Sequence, residues 1–79
     1  MKCSVYAISS LIRNYIYVGL AFNVEKRIVQ HNLGKERTTR AYRPFKLIYT
    51  EEFSDRVSAR QREKYLKSGT GKEFLKKLK

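Results

Sequence analysis

The sequence predicts a small α+β domain, in which a small antiparallel three-stranded sheet is flanked by helices in the order β-β-α-β-α-α. The chain has 79 residues, without linkers or repeats, and we therefore expect residues 1–79 to form a single domain. Two neighbouring runs of aromatic and β-branched residues near the start predict a hairpin. Capping residues and glycines further along bracket segments whose apolar residues recur at helical spacing.

The first two strands are predicted at 3–9, CSVYAIS, and at 14–19, NYIYVG, with residues 10–13 as the hairpin loop. Tyrosine, valine and isoleucine are enriched in strands. This loop sets a register that places Tyr6 opposite Tyr17. Because side chains alternate along a strand, both tyrosines then share one face. The opposite face, which we expect to be buried, carries Val5, Ile16 and Val18.

Gly19 lies inside the second predicted strand, on the same face as Tyr6 and Tyr17. Glycine weakens a strand unless another backbone or a ligand must come close. We therefore interpret Gly19 as a point where a substrate approaches the sheet.

A helix is predicted at 24–33, because Asn23 is a good N-cap and Gly34 a good helix stop. Its core stripe has i, i+4 spacing and consists of Val24 and Ile28.

Arg27 and His31 form a second i, i+4 pair beside that stripe. Arginine supplies a fixed fork for a phosphoryl group, and histidine moves protons near neutral pH. Together with the tyrosines, the pair resembles a phosphate site. The alternative is that both are polar residues at the rim of the helix.

Residues 35–43, KERTTRAYR, predict a polar, basic loop. Pro44 then opens a third strand at 45–50, because proline is tolerated at the first residue of a strand. One side of this strand is expected to carry Phe45, Leu47 and Tyr49.

Two helices are predicted to complete the chain. Ser54 or Asp55 caps the first, which runs to about Lys67 and is stopped by the Ser-Gly pair at 68–69. The sequence TGKE at 70–73 fits a capping box that starts the second. The inward positions are Ala59, Arg62, Glu63 and Leu66 in the first helix and Phe74, Leu75 and Leu78 in the second.

Glu63 is the most unusual of these inward positions. An unpaired carboxylate that points toward a sheet is costly, so it requires a cationic partner or a metal ion. One interpretation is a structural ion pair with Arg62, Arg60 or another arginine. The other is a metal site, and position alone does not exclude either.

The chain is strongly basic, with 18 Lys and Arg against 7 Asp and Glu, a formal net charge of +11. Such a field attracts polyanions, so a nucleic-acid partner is favoured over a charge that serves solubility alone, and a membrane surface is less favoured. There is one cysteine, Cys3, which we expect to be a buried or half-buried small hydrophobic residue. A secreted domain of this size usually carries several cysteines, so a cytoplasmic location is expected.

The ordered set of these residues resembles the GIY-YIG nuclease superfamily, and is most similar to its small stand-alone members, which are like the N-terminal domain of excinuclease C. The two name-giving motifs match 4–6, SVY, and 17–19, YVG. The helical arginine, the His or Tyr position and the metal-binding glutamate match Arg27, His31 and Glu63. The resemblance to the single-domain subgroup extends over 41–53, AYRPFKLIYTEEF, and 62–77, REKYLKSGTGKEFLKK.

This resemblance implies a nuclease that uses one divalent ion, Mg²⁺ or Mn²⁺, held by Glu63. Arg27 would neutralise charge on the phosphate in the transition state. Tyr6 is implied as general base or as a group that positions the nucleophile, with Tyr17 and His31 orienting water or sharing the proton transfer. The sequence departs from the family pattern at Ser4, which replaces the first glycine, and at Leu20, where some relatives carry a polar or basic residue.

Three functions follow as expectations. The first is a metal-dependent endonuclease that hydrolyses phosphodiester bonds in DNA, including structured or damaged DNA, in repair or recombination. The second is a basic nucleic-acid-binding module without catalysis, and the third is an adaptor for a protein partner. Since no DNA-binding domain is appended, we expect weak specificity or a partner protein that supplies it.

Overall fold

The strand at the centre of the sheet is the first in the chain. The protein is described here by a computed structural model, which covers residues 2–79. The strands are β1 (Cys3–Ser10), β2 (Ile16–Ala21) and β3 (Phe45–Phe53). They are antiparallel and lie in the order β2-β1-β3. The predicted three-stranded antiparallel sheet is therefore confirmed.

Three helices follow the predicted order. They are α1 (Val24–Asn32), α2 (Arg56–Lys67) and α3 (Gly69–Lys76), with a short 3-10 turn at Arg40–Tyr42 in the predicted loop. None of the helices within residues 2–79 is long and apolar enough to cross a membrane.

The first two helices begin at the predicted caps. The Oδ1 atom of Asn23 accepts a hydrogen bond from the backbone N–H of Lys26 at 3.1 Å. The Oδ1 atom of Asp55 accepts one from the backbone N–H of Ser58 at 2.7 Å. Each cap satisfies one of the N–H groups that a helix leaves free at its start.

The start of α3 differs from the prediction. The capping box proposed at 70–73 is not the N-terminus, because Gly69 is already helical and Ser68 is the N-cap. The Oγ atom of Ser68 accepts a hydrogen bond from Gly71 N at 3.3 Å. Ser68 also ends α2, so one residue both terminates a helix and starts the next. The Ser-Gly pair is thus a corner that joins two helices directly.

The predicted register of the hairpin is wrong by two residues. Tyr6 lies opposite Gly19, and Tyr17 lies opposite Ile8. The cause lies in the turn, where Ser10 still pairs by donating its N–H to the carbonyl of Tyr15 at 2.9 Å. A shift of two residues leaves every side chain on its original face. The predicted shared face of Tyr6, Tyr17 and Gly19 is therefore correct although their pairing is not.

The sheet is covered on both faces. Helix α1 covers the face that carries the tyrosines, and α2 with α3 covers the other. The first layer contains Tyr6, Ile8, Ala21 and Phe45 with Val24 and Ile28 packed on them. The second contains Cys3, Val5, Ala7, Val18, Ala59, Leu66 and Leu75. Cys3 is buried, as predicted.

A β-bulge in β3 overturns the predicted common side of Phe45, Leu47 and Tyr49. Ala7 pairs with Tyr49 and Ile8 pairs with Leu47, so Ile48 is an extra residue between them. One inserted residue reverses the alternation of all side chains beyond it. Tyr49 therefore packs against the α2 layer, whereas Phe45 belongs to the α1 layer.

Candidate active site

Four of the five predicted catalytic residues are brought together on the α1 face of the sheet. Strands β1 and β2 supply Tyr6 and Tyr17, and α1 supplies Arg27 and His31. The Tyr6 hydroxyl lies 2.8 Å from Nε2 of His31. The ring centroids of Tyr17 and His31 are 4.9 Å apart. The i, i+4 spacing on α1 places the arginine and the histidine over the same end of the hairpin.

His31 is a core residue rather than a residue at the rim of its helix. Its side chain is fully buried, and its Nδ1 lies 2.8 Å from Oγ1 of Thr39, which is also fully buried. Thr39 belongs to the loop before the 3-10 turn. Sequence reasoning missed it, because a loop has no periodicity that marks inward residues. The only signal was the rule that a buried histidine needs partners for both ring nitrogens.

Burial and charge shift the proton affinities of this cluster. Burial raises the pKa of Tyr6 above its ordinary value, and the neighbouring Arg27 opposes this by favouring the phenolate. Burial lowers the pKa of His31, and the positive charge of Arg27 lowers it further, while Glu36 acts in the opposite sense. His31 is therefore neutral at physiological pH and can accept a proton.

Arg27 connects the buried cluster with solvent. Its side chain is 31% exposed, and its Nη1 donates a hydrogen bond to Oε1 of Gln30 at 2.9 Å. Its Nη2 lies 3.8 Å from Oε1 of Glu36. The guanidinium opens into a shallow cleft of about 440 Å³ that is also lined by Leu20, Phe22, Asn23 and Lys26. An open cleft with two cations suits a large anionic substrate.

Gly19 makes room for a tyrosine of its own chain. A Cβ atom at this position would lie 2.8 Å from the Tyr6 hydroxyl and 3.0 Å from Cε2 of Tyr17. Both distances are shorter than ordinary van der Waals contact, so any other residue would displace the phenol. The group that comes close to Gly19 is therefore Tyr6, and the predicted approach of substrate at this glycine stays a prediction.

Glu63 lies on α2, which covers the opposite face of the sheet from α1. Its side chain is 14% exposed, and its Oε2 lies 3.2 Å from Nζ of Lys67. The arginine partner proposed in the ion-pair interpretation is therefore wrong, since Arg62 instead lies 3.3 Å from Glu51. Among residues 2–79, no hydrogen bond or ion pair joins Glu63 to the residues of the α1 face.

The carboxylate of Glu63 fits a divalent ion only as a single ligand. Within residues 2–79, no group of three or more His, Cys, Asp or Glu side chains is placed to hold a metal. Lys67 contacts only the Oε2 atom of Glu63. Because the Lys67 side chain is 54% exposed, its ammonium group can move into solvent and leave the carboxylate to a metal ion. Mg²⁺ is commonly bound through one or two carboxylates, with waters and substrate phosphates as the remaining ligands.

Comparison with known proteins defines the class of this fold and site. The family model described as "GIY-YIG catalytic domain" matches residues 2–79. The chain therefore belongs to the GIY-YIG family, which places it in a nuclease superfamily whose members generally use divalent metal ions.

The individual relatives are proteins of one named group. The chain is 39% identical over 66 residues to a UPF0213 protein of Staphylococcus haemolyticus, an alignment that covers 82% of this chain and 80% of the relative. It is 41% identical over 61 residues to a UPF0213 protein of Clostridium perfringens, covering 76% and 66%. A solution NMR structure of a UPF0213 protein from Bacillus halodurans superimposes with a TM-score of 0.58 at 33% identity, covering 100% of this chain and 86% of that one. The predicted similarity to small stand-alone members of the family is confirmed.

Proposed function

We propose that the protein is a metal-dependent endonuclease that hydrolyses phosphodiester bonds in DNA and acts in repair or recombination. The observation that carries the proposal is the contact of a buried tyrosine with a buried histidine beside an arginine that reaches solvent. Such a cluster combines a proton acceptor with a fixed positive charge. Both features accelerate the hydrolysis of a phosphodiester.

Each residue of the cluster has a distinct task in this proposal. The guanidinium of Arg27 binds a phosphate of the substrate in the cleft and stabilises the charge that develops on its oxygens. Tyr6 and His31 together hold and transfer the proton that the attacking water gives up. Tyr17 packs against the His31 ring and keeps it in place. Glu63 would hold the divalent ion, which when bound supplies charge neutralisation at the phosphate.

The basic composition supports a nucleic acid as the substrate. The net charge of +11 raises the local concentration of any polyanion and accelerates its association with the protein. The shallow form of the Arg27 cleft accommodates a chain that passes over it rather than a small enclosed ligand. Structured or damaged DNA is the substrate class we infer, with a protein partner or the structure of the DNA supplying specificity.

A second candidate function is a nucleic-acid-binding module without catalysis. The position of Glu63 favours this alternative, because its helix lies across the sheet from Tyr6 and His31 and its carboxylate is engaged by Lys67. Such a module keeps the charge and the scaffold but does not cleave DNA.

Cleavage of a panel of DNA structures with Mg²⁺ or Mn²⁺ separates the two candidates. We expect the wild-type protein to nick at least one substrate. Arg27→Gln should lower the rate by roughly 100-fold or more, the effect of removing one stabilising group in such sites. Glu63→Gln should lower the rate to background because the ion loses its only carboxylate ligand.

Two variants control for the change of charge alone. Arg37→Gln removes an exposed arginine, and Glu73→Gln removes an exposed carboxylate that pairs with Lys76. Both should cleave like the wild type. DNA binding without cleavage under any metal would instead establish the non-catalytic module, and equal cleavage by Glu63→Gln and wild type would rule out the metal role of Glu63.

A further inference from the structure

The loop between α1 and β3 places one hydroxyl group in the core, against the candidate site. Oγ1 of Thr39 lies 2.8 Å from Nδ1 of His31, and the Tyr6 hydroxyl lies 2.8 Å from Nε2 on the other side of the ring. All three side chains are fully buried. The imidazole is thus held at both nitrogens by hydroxyl groups, each of which can donate or accept. The groups around these hydroxyls therefore decide which nitrogen carries the proton.

The surroundings of Tyr6 favour a proton on Nδ1. Within residues 2–79, Nε2 of His31 is the only hydrogen-bond acceptor that the structure places at the Tyr6 hydroxyl. The charged groups that act on Tyr6 are Arg27, which carries donors only, and Glu36, whose carboxylate forms no hydrogen bond with the Tyr6 hydroxyl within residues 2–79. If Nε2 were protonated, the buried O–H of Tyr6 would have no acceptor, which is unfavourable. Nε2 therefore presents its lone pair to Tyr6.

The surroundings of Thr39 favour the same tautomer. Its Oγ1 lies 3.5 Å from the backbone carbonyl of Glu36, a group that can only accept. When the hydroxyl donates to this carbonyl, its lone pair is left for an N–H at Nδ1. Two independent contacts, one at each end of the imidazole, thus point to a proton on Nδ1.

We propose that Thr39 is a positioning residue that holds His31 in the Nδ1–H form, so that Nε2 is the acceptor for the proton of Tyr6. The role of Thr39 in catalysis rests on the proposed nuclease function. The assignment of the tautomer does not depend on that function. In the transfer, the O–H bond of Tyr6 breaks and an N–H bond forms at Nε2. The products are a phenolate beside Arg27 and an imidazolium that donates from Nδ1 to Thr39, and the total charge is unchanged.

This arrangement supplies what a tyrosine base requires. A free phenol ionises only near pH ~10, so a tyrosine that is to accept a proton at neutral pH must first give up its own. A correctly oriented lone pair on His31 gives the proton an acceptor, and the Arg27 cation favours the phenolate against the burial that raises the pKa of Tyr6. Without Thr39, the ring can place its proton on either nitrogen, and molecules with the proton on Nε2 cannot accept from Tyr6.

The tautomer can be measured directly, because His31 is the only histidine in the chain. Long-range ¹H–¹⁵N correlation spectra of the ¹⁵N-labelled protein distinguish a protonated from an unprotonated ring nitrogen. We expect a protonated Nδ1 and an unprotonated Nε2 in the wild type at neutral pH. A proton on Nε2 in that spectrum overturns the proposal.

Thr39→Val tests the residue itself, because valine keeps the volume and removes the hydroxyl. In this variant, the N–H group at Nδ1 lacks an acceptor. The free-energy cost of leaving this N–H unsatisfied is comparable with the cost of leaving the Tyr6 hydroxyl unsatisfied in the other tautomer. We therefore expect a mixture of the two tautomers. Thr39→Ser restores the hydroxyl and should restore the wild-type spectrum. A Thr39→Val spectrum identical with the wild type would show that Thr39 does not set the tautomer. Circular dichroism confirms that both variants are folded.

The cleavage assay separates this proposal from the function on which it rests. On a substrate that the wild type cleaves, Thr39→Val should lower kcat by roughly tenfold with KM unchanged, a part of the ~10²–10⁴-fold that acid–base catalysis supplies. Thr39→Ser should stay near the wild-type rate. If Thr39→Val shows mixed tautomers but keeps the wild-type kcat, the positioning role of Thr39 is overturned. A protein that never cleaves DNA but has the expected tautomer refutes the proposed function and retains the assignment of Thr39.

Discussion

At the scale of single residues, the Tyr6 phenol links the hydrogen bonding and the packing of the candidate site. It forms a hydrogen bond to His31, lies near Arg27, and fills the space that Gly19 leaves open. The sequence indicates Tyr6 and His31, because strand alternation places Tyr6 on one face with Tyr17 and helical spacing places His31 beside Arg27. It did not predict that both side chains are buried, since the other face of the hairpin was expected to face the core. Thr39 could not be predicted in this way, since its position depends on how an irregular loop folds over α1.

Gly19→Ala tests the packing of that phenol. The added Cβ would lie 2.8 Å from the Tyr6 hydroxyl, so the ring must move away from His31. We expect the free energy of unfolding to fall by about 1–3 kcal/mol, a usual cost of overpacking. Cleavage should be lost because the Tyr6–His31 hydrogen bond is broken. Chemical denaturation and the cleavage assay measure the two effects.

Tyr6→Phe provides the control for Gly19→Ala. Removing the hydroxyl removes the nearest clashing atom, so Gly19→Ala should cost less in the Tyr6→Phe background than in the wild type. Equal costs in both backgrounds would show that the glycine is required for a reason other than the phenol. Gly19→Ala with full cleavage would contradict the geometry of the site described above.

At the scale of elements, the corner between α2 and α3 shows how local sequence determines the packing of two helices. Ser68 ends one helix and caps the next, and Gly71 lies where the two backbones meet. Capping and periodicity predicted the existence of all six elements. They did not locate this corner, because both Ser68 and Thr70 are acceptable caps. They did not predict the bulge at Ile48 either, since it depends on pairing with β1.

Gly71→Ala should destabilise the corner. A Cβ at this position would lie 2.1 Å from the backbone carbonyl oxygen of Tyr65, and the backbone cannot give way as a side chain can. We expect a loss of about 1–3 kcal/mol in the free energy of unfolding. Gly69→Ala is the matched control, because nothing lies within 4 Å of its added Cβ. That variant should be neutral or stabilised by up to about 1 kcal/mol through helix propensity, and thermal unfolding compares the two.

At the scale of the whole molecule, unpaired positive charge lies on the exposed side of α2. Arg56, Arg60 and Lys64 form an i, i+4, i+8 row on the exposed side of α2 and line one groove with Val57. In the part of the chain that the structure describes, none of the three forms an ion pair. The net charge could be calculated from the composition, but the distribution of the charged residues over the surface could be described only once the fold was known.

The affinity for DNA should therefore depend steeply on salt. Replacing Arg56, Arg60 and Lys64 by glutamine should weaken binding for all sequences and lower the slope of log K against log salt by up to about 3, near 1 for each phosphate contact. Fluorescence anisotropy over a salt series measures this slope. The control replaces Lys76, Lys77 and Lys79 by glutamine, which changes the net charge equally. Equal slopes for both triple variants would show that net charge, rather than contact at α2, controls binding.

The strand order β2-β1-β3 has a consequence for how the chain acquires its structure. The pairing of β1 with β2 is local, whereas its pairing with β3 joins Cys3 to Phe53 and must close a much longer loop. Because synthesis proceeds from the N-terminus, the central strand leaves the ribosome with one partner near at hand and the other still unmade. Until β3 emerges, the hydrogen-bonding edge of β1 is open to other chains. We therefore expect the pairing of β3 with β1 to be the slowest step of folding and the one most sensitive to aggregation. This pairing also covers the free hydrogen-bonding edge of β1, the strand that carries Tyr6.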